Sequence, residues 1–362
     1  MNNKQARLDT ISKLEAGLDG PVIAYIMADR LVFGTQVGQD AIRLFQQHLQ
    51  GIGKVRRIGL VLYTRGGHTL TPLRLVRLIR EYCDEFHVLI PYRAHSAGTL
   101  IALGADKIQM GRMGELAPID PAVANPFNPE EESARPPQPG PKPKLAISVE
   151  DVTSYLALAA EKACLSTPET RCEAFMELAR KVHPLALGNV HRSHTLIRLI
   201  AERLLSMHMD GSNDEKQIQH IVETLTEKLY AHDFMISRTD AKQYVGLNVE
   251  EPSAEMESNL WSLFELYEAA LRLGQEIDIG QMLGSETDKS FRVESAIIES
   301  KEMTHTFVYE GRLRGIGKPP EVEVNVEIQA QVWRCERNQG TTDCHVSENV
   351  AEGLRDENPS AG

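Results

Sequence analysis

Two short segments hold the residues best suited to chemistry: Tyr63-Thr64-Arg65-Gly66-Gly67-His68 and Pro91-Tyr92-Arg93-Ala94-His95-Ser96-Ala97-Gly98-Thr99. Each follows an apolar, β-rich run, residues 58–63 and 86–90, and each leads into a helical pattern. A serine between a strand and a helix presents its hydroxyl at the helix N-terminus, where unpaired N–H groups and the dipole favour negative charge. A glycine pair at the end of the neighbouring strand lets backbone N–H groups turn toward the same point. One segment then supplies a nucleophile and the other part of an oxyanion hole, the two requirements of acyl transfer. In this reading Ser96 attacks a carbonyl, and the N–H of Ala97 with that of Gly66 or Gly67 holds the oxyanion. The purely structural alternative makes Ser96 a helix N-cap and the glycines turn formers.

The elements that must position these segments alternate along the chain. Residues 21–28, 58–64, 86–91 and 107–110 read as strands, and 40–49, 72–82 and 96–103 as helices. Continuous apolar strands interleaved with helices predict a parallel sheet covered on both faces. Strand-to-helix turns lie at the C-terminal edge of such a sheet, so the two segments can converge. Residues 125–144, with seven prolines among charged residues, interrupt the pattern as a solvated insertion or a substrate-guiding arm. Helical periodicity dominates residues 149–230, with Asp151 and Thr153 as capping residues and Leu196, Leu199, Ile200 and Leu204 as an apolar face. A further amphipathic helix over 256–273 places Leu260, Leu263, Phe264, Tyr267 and Leu271 on one side. From Phe291 the texture is β-like, and residues 336–362 are polar and expected to be disordered.

Composition narrows the function classes. A net charge of −12 over 362 residues argues against nucleic acid as a partner, and the arginines form no stripe. Arg74, Arg77 and Arg80 recur at helical spacing, as on a solvated helix face. Cysteines 83, 164, 172, 335 and 344 are scattered, which predicts reduced thiols in a cytoplasmic protein. The first seven residues lack the apolar run of a signal peptide. No stretch approaches the roughly 18 uninterrupted apolar residues of a membrane span. His183, His191 and His194 invite a zinc reading, but no glutamate sits among them and Pro184 and Gly188 interrupt the spacing. No metal and no cofactor is expected.

The paired segments resemble those of the Clp-protease and signal-peptide-peptidase superfamily of serine peptidases, whose fold is shared with the crotonases. Within it the chain is most similar to the serine dehydrogenase proteinase family. The likeness includes Gly104-Ala105-Asp106-Lys107-Ile108-Gln109-Met110-Gly111, Leu116-Ala117-Pro118-Ile119-Asp120-Pro121, and the late stretch from Ala231-His232-Asp233 through Ser237, Asp240-Ala241 and Gly246-Leu247. The resemblance implies a ClpP/crotonase-like α/β fold of repeated ββα units, with a helical extension. The resemblance runs from about Pro21 to Val249, and with the texture of the rest the chain reads as a peptidase domain over 1–275, a β-rich appendage over 276–335 and the tail. It also implies a homo-oligomer that shelters the site between subunits.

The general base is less legible. Clp-type proteases carry a histidine one helix and one strand after the serine, and residues 113–122 contain none; Pro118 or a neighbour stands there. Signal peptide peptidases use a lysine from a segment where this chain has Lys142 and Lys144. The resemblance places His-Asp at His232 and Asp233, with Asp233 stabilising an imidazolium and His232 accepting the proton. Adjacent side chains on a strand diverge, so the two cannot easily pair with each other. His68 is a rival base, and His95 is expected to point away from the pocket. Asp120 reads as a turn former. The leading function is a soluble serine peptidase acting on peptide or protein substrates. The alternatives are an inactive scaffold that binds a protein partner and, last, crotonase-like acyl-CoA chemistry.

Overall fold

The computed structural model describes residues 3–119, 122–123, 125–130, 144–145, 147–163, 165, 167–229, 231, 234–318 and 321–338. In chain order, helix α1 (Asn3–Leu18) precedes strand β1 (Val22–Met27), α2 (Ala41–Ile52), β2 (Val55–Tyr63), α3 (Thr71–Arg80), β3 (Cys83–Ile90) and the short β4 (Arg93–Ala94). Then come α4 (Ala97–Leu103), β5 (Lys107–Met110), β6 (Glu115–Leu116), β7 (Ala122–Val123) and β8 (Ile147–Ser148). Four helices follow: α5 (Val149–Glu161), α6 (Pro168–Lys181), α7 (Pro184–Leu205) and α8 (Glu215–Glu227). The chain continues through β9 (Ile236–Ser237), one helical turn α9 (Arg238–Asp240), β10 (Val249–Glu250), α10 (Ala254–Leu271) and α11 (Ile279–Leu283). Three long strands end it: β11 (Asp288–Glu299), β12 (Met303–Lys318) and β13 (Glu321–Arg337).

One compact unit comprises Met1–Leu116 with Ile236–Gly362. Its eight-stranded sheet runs β10-β5-β3-β2-β1-β11-β12-β13. The first five strands are parallel, with Val22 opposite Gly59, Ile58 opposite Phe86 and Val88 opposite Ile108. All six residues of β1, the last six of β2 and the last five of β3 are buried, as the uninterrupted apolar runs require of strands covered on both faces. On one side α1 and α10 pack together through Ile11, Leu14 and Leu18 against Leu260, Leu263, Phe264 and Tyr267. Their fit is pinned by a buried carboxylate. Glu299 accepts bonds from Arg7 Nε at 2.7 Å, Arg7 Nη2 at 3.0 Å, Tyr267 Oη at 2.7 Å and Thr304 Oγ1 at 2.8 Å.

The C-terminal strands extend this sheet, because β11 pairs antiparallel with β1 and carries β12 and β13 beside it. The β texture expected from Phe291 is present, and its strands continue the main sheet. Arg80 also departs from expectation. Its guanidinium bonds Gly104 O and Asp106 Oδ2, and Asp106 accepts the Phe86 N–H at 2.7 Å. The Gly104-Ala105-Asp106 motif is thus a clasp joining α3, β3 and β5, and only Arg74 and Arg77 remain exposed.

The second unit, Ala117–Met235, is mostly helical. Its longest helix, α7, buries Val190, Ile197, Ile200, Ala201 and Leu204, while Leu196 and Leu199 are exposed at 36% and 42%. The apolar stripe is therefore rotated from the expected face, because Ile197 and Ala201 complete the i, i+3, i+4 series. Thr153 lies inside α5, which begins at Val149, and its hydroxyl bonds back to Val149 O. Among the described residues no helix is long and apolar enough to cross a membrane.

Candidate active site

The two segments meet at the C-terminal ends of β2 and β3. Thr64 follows β2 and bridges in parallel to Ala94 of β4. Gly66 and Gly67 have φ of +125° and +150°, a region that favours residues without Cβ. A Cβ on Gly66 would lie 2.9 Å from Ser96 Cβ and 3.3 Å from Ser96 Oγ, so the glycine is the wall against which the serine sits. Gly67 is pressed on the other side by Val37, whose backbone nitrogen would stand 2.3 Å from an added Cβ. Val37 holds this strand end in place, donating to Gly66 O and accepting from His68 N, both at 2.8 Å.

Ser96 lies on a tight strand-to-helix turn with φ +49° and ψ −106°. Such a conformation costs a non-glycine residue on the order of 1–3 kcal/mol and persists only when its surroundings enforce it. Its hydroxyl makes no capping bond to α4, so the N-cap reading of the side chain does not hold. Ser96 is half-buried, with its hydroxyl beside Gly66. Helix α4 is buried along its whole length, and Thr99 ties it to the strand before the serine by donating to Ala94 O at 3.0 Å. The peptide N–H of Gly66 is bonded to Thr64 Oγ1 at 3.0 Å. Those of Gly67 and Ala97 take part in no hydrogen bond among the described residues.

A charged cluster backs the serine turn. Glu115, buried in β6, accepts from Arg93 Nε at 2.8 Å and pairs with His95 Nε2 at 3.1 Å. Burial lowers the His95 pKa, opposed by the Glu115 charge and reinforced by Arg93. Asp29 receives Tyr63 Oη at 2.8 Å and Arg65 Nε at 3.1 Å. Burial, then the Asp29 charge, raises the Tyr63 pKa. Glu115 lies nineteen positions from Ser96, in a segment whose interest in the sequence was the histidine it lacks.

The other expected residues fall elsewhere. His68 is exposed on the loop after the glycines. Lys144, in the second unit, is ion-paired with Glu130 at 3.2 Å. His232, Asp233, Asp120 and Lys142 lie outside the described residues, as does most of the proline-rich insertion. Ser237 and Asp240 form a reciprocal capping box at the start of α9, and Gly246, at φ +87°, ends the turn that follows. His183 caps α7 through Leu185 N, His194 faces Glu227 at 3.4 Å, and His191 is exposed. No three His, Cys, Asp or Glu side chains among the described residues gather as a metal site.

Two uncharacterised proteins of Methanocaldococcus jannaschii are similar to this chain. One is 26% identical over 219 residues, covering 60% of this chain and 61% of the relative. The other is 25% identical over 210 residues, covering 58% and 56%. The chain therefore spans about three fifths of the length of these curated relatives. Two solved structures are similar at 14% identity, both of the 1510-N membrane-bound stomatin-specific protease. One is a serine-to-alanine mutant (TM-score 0.34, covering 60% of this chain and 76% of that chain). The other is a lysine-to-alanine mutant in complex with a substrate peptide (TM-score 0.36, covering 61% and 73%). Residues 4–165, the span that carries both glycines and Ser96, match the family model of the ClpP-like SDH-type serine proteinases.

Proposed function

We propose that this chain is a serine peptidase-like hydrolase that cleaves peptide bonds through an acyl-enzyme on Ser96. The observation that carries the reading is the strained Ser96 turn, set against Gly66 with its hydroxyl unused as a cap. In the proposed step Ser96 Oγ attacks the substrate carbonyl carbon and gives its proton to a base. The carbonyl oxygen becomes an oxyanion held by the N–H groups of Ala97 and Gly67, since that of Gly66 is engaged by Thr64. Collapse expels the amine with a proton from the base, and water then hydrolyses the acyl-serine.

His232 is proposed as the base, with Asp233 stabilising its charged form. The likeness of the stretch from Ala231 through Asp240 to the family's His-Asp ending supports this assignment. His68 and Lys144 stand as rivals, and the inactive scaffold as the second reading. Hydrolysis of a fluorogenic peptide or casein that disappears in folded Ser96→Ala protein is the expected result. Unchanged hydrolysis by purified Ser96→Ala would end the proposal.

A further inference from the structure

Thr64 touches both halves of the site. It is completely buried, one residue beyond β2. Its backbone N–H donates to Arg93 O at 2.9 Å, and its carbonyl accepts from His95 N at 3.0 Å, so it grips the strand before Ser96 on both sides of Ala94. Its hydroxyl oxygen accepts the Gly66 N–H at 3.0 Å, and the hydroxyl has Gly66 O at 3.2 Å and Met27 Sδ at 3.4 Å as acceptors. Its methyl lies over the first turn of α4, where a Cβ on Gly98 would come within 2.7 Å of Thr64 Cγ2. A β-branched side chain has few χ1 states, so these contacts are made together or not at all.

We propose that Thr64 is the positioning residue that couples the oxyanion strand to the nucleophile turn and selects which glycine donates to the oxyanion. This rests on the serine-hydrolase reading above. By capturing the Gly66 N–H, the hydroxyl turns that amide away from service, and its contact with Gly66 O, which also accepts from Val37 N, holds the Gly66–Gly67 peptide in one orientation. The N–H of Gly67 is left as the partner of Ala97. Through its backbone, the same residue fixes the register of the strand that feeds Ser96. The pair of contacts separates cleanly by substitution. Thr64→Val keeps the methyl packing and removes the hydroxyl, whereas Thr64→Ser keeps the hydroxyl and removes the methyl.

The test measures phosphonylation of the full chain by a fluorophosphonate, resolved into a maximal rate and an apparent affinity. Folding of each variant is checked by thermal melting. Thr64→Val is expected to lose on the order of 10²-fold in maximal rate with the apparent affinity nearly unchanged, the size of one lost oxyanion donor. Thr64→Ser is expected to stay near the wild-type rate even if its melting point falls further. A purely structural Thr64 would give rates that follow the melting points, and that result overturns the proposal. A second measurement stands apart from reactivity: exchange of the Gly66 amide by NMR of glycine-labelled Ser96→Ala protein. Protection is expected with Thr or Ser at position 64 and its loss with Val; equal protection in all three overturns the assignment. If wild type and Ser96→Ala are labelled alike, the serine-hydrolase reading fails, and the amide exchange still decides the role of Thr64.

Discussion

Replacing Gly66 by alanine is the sharpest perturbation of the proposed site. The new methyl meets Ser96 Cβ at 2.9 Å and Oγ at 3.3 Å, where ordinary van der Waals contact begins at 3.4 Å. Ser96 is already held by a buried helix on one side and by the paired Thr64 and Ala94 on the other, so it cannot retreat freely. The φ of +125° adds a backbone penalty of roughly 1–3 kcal/mol for any residue with a Cβ. A displacement of the nucleophile by up to about 1 Å costs on the order of 10²-fold in rate. Gly53→Ala is the matched control: its φ is +75°, yet nothing lies within 4 Å of the added Cβ. Both variants should melt earlier than wild type, and only Gly66→Ala should react about 10² times more slowly with a fluorophosphonate or a peptide ester. Folded Gly66→Ala protein that reacts at the wild-type rate, or no more slowly than Gly53→Ala, would refute the placement of the serine against this glycine.

Substitution of the possible bases should separate them: His232→Ala is expected near the Ser96→Ala level, with His68→Ala and Lys144→Ala mild. A severe loss in Lys144→Ala alone would transfer the role. Stability should fall as the solution is acidified from neutrality. His48 and His305 are buried and bonded to each other at 3.0 Å, and burial pushes their pKa values down to about 3 and about 4. Below the unfolded value near 6.5 the unfolded chain takes up protons that the folded chain refuses. Each histidine then costs about 1.4 kcal/mol per pH unit until its folded value is reached. Between pH 6.5 and 5 the pair should remove roughly 3 kcal/mol, because the unfolded histidines are only half protonated at the upper value, and a double His48→Gln, His305→Gln variant should lose that part of the slope in urea titrations at the two pH values. An undiminished slope would contradict it. Light scattering at micromolar concentration should give a species larger than one chain; a single species near the 40.4 kDa of the chain would count against the sheltered oligomer.

The parallel half of the sheet was readable because β1, β2 and β3 are buried on both faces and so carry unbroken apolar runs. Gly66 and Ser96 were readable because a tight turn and a close approach leave few residue types that fit. Helix α1 was not, since its buried Ile11, Leu14 and Leu18 are spaced among polar residues whose partners, such as Glu299 for Arg7, lie nearly 300 positions away. The union of β11 with β1 was hidden for the same reason: strand pairing across the whole chain leaves no local signal. Thr64 and Glu115 carry no local signal, because threonine near a strand end and glutamate in a short strand are unremarkable alone. Only their bonds to Gly66 and His95 distinguish them. Leucines occur on both sides of α7, and period alone cannot choose its buried face.

Nucleophilic Ser96 is open to covalent capture. The native protein is incubated with a fluorophosphonate and digested, and the modified residue is located by mass spectrometry. One stoichiometric adduct is expected, on Ser96, abolished in Ser96→Ala protein that melts like the wild type. Folded wild-type protein that takes up no label, or whose label sits on another residue and persists in Ser96→Ala, would contradict it.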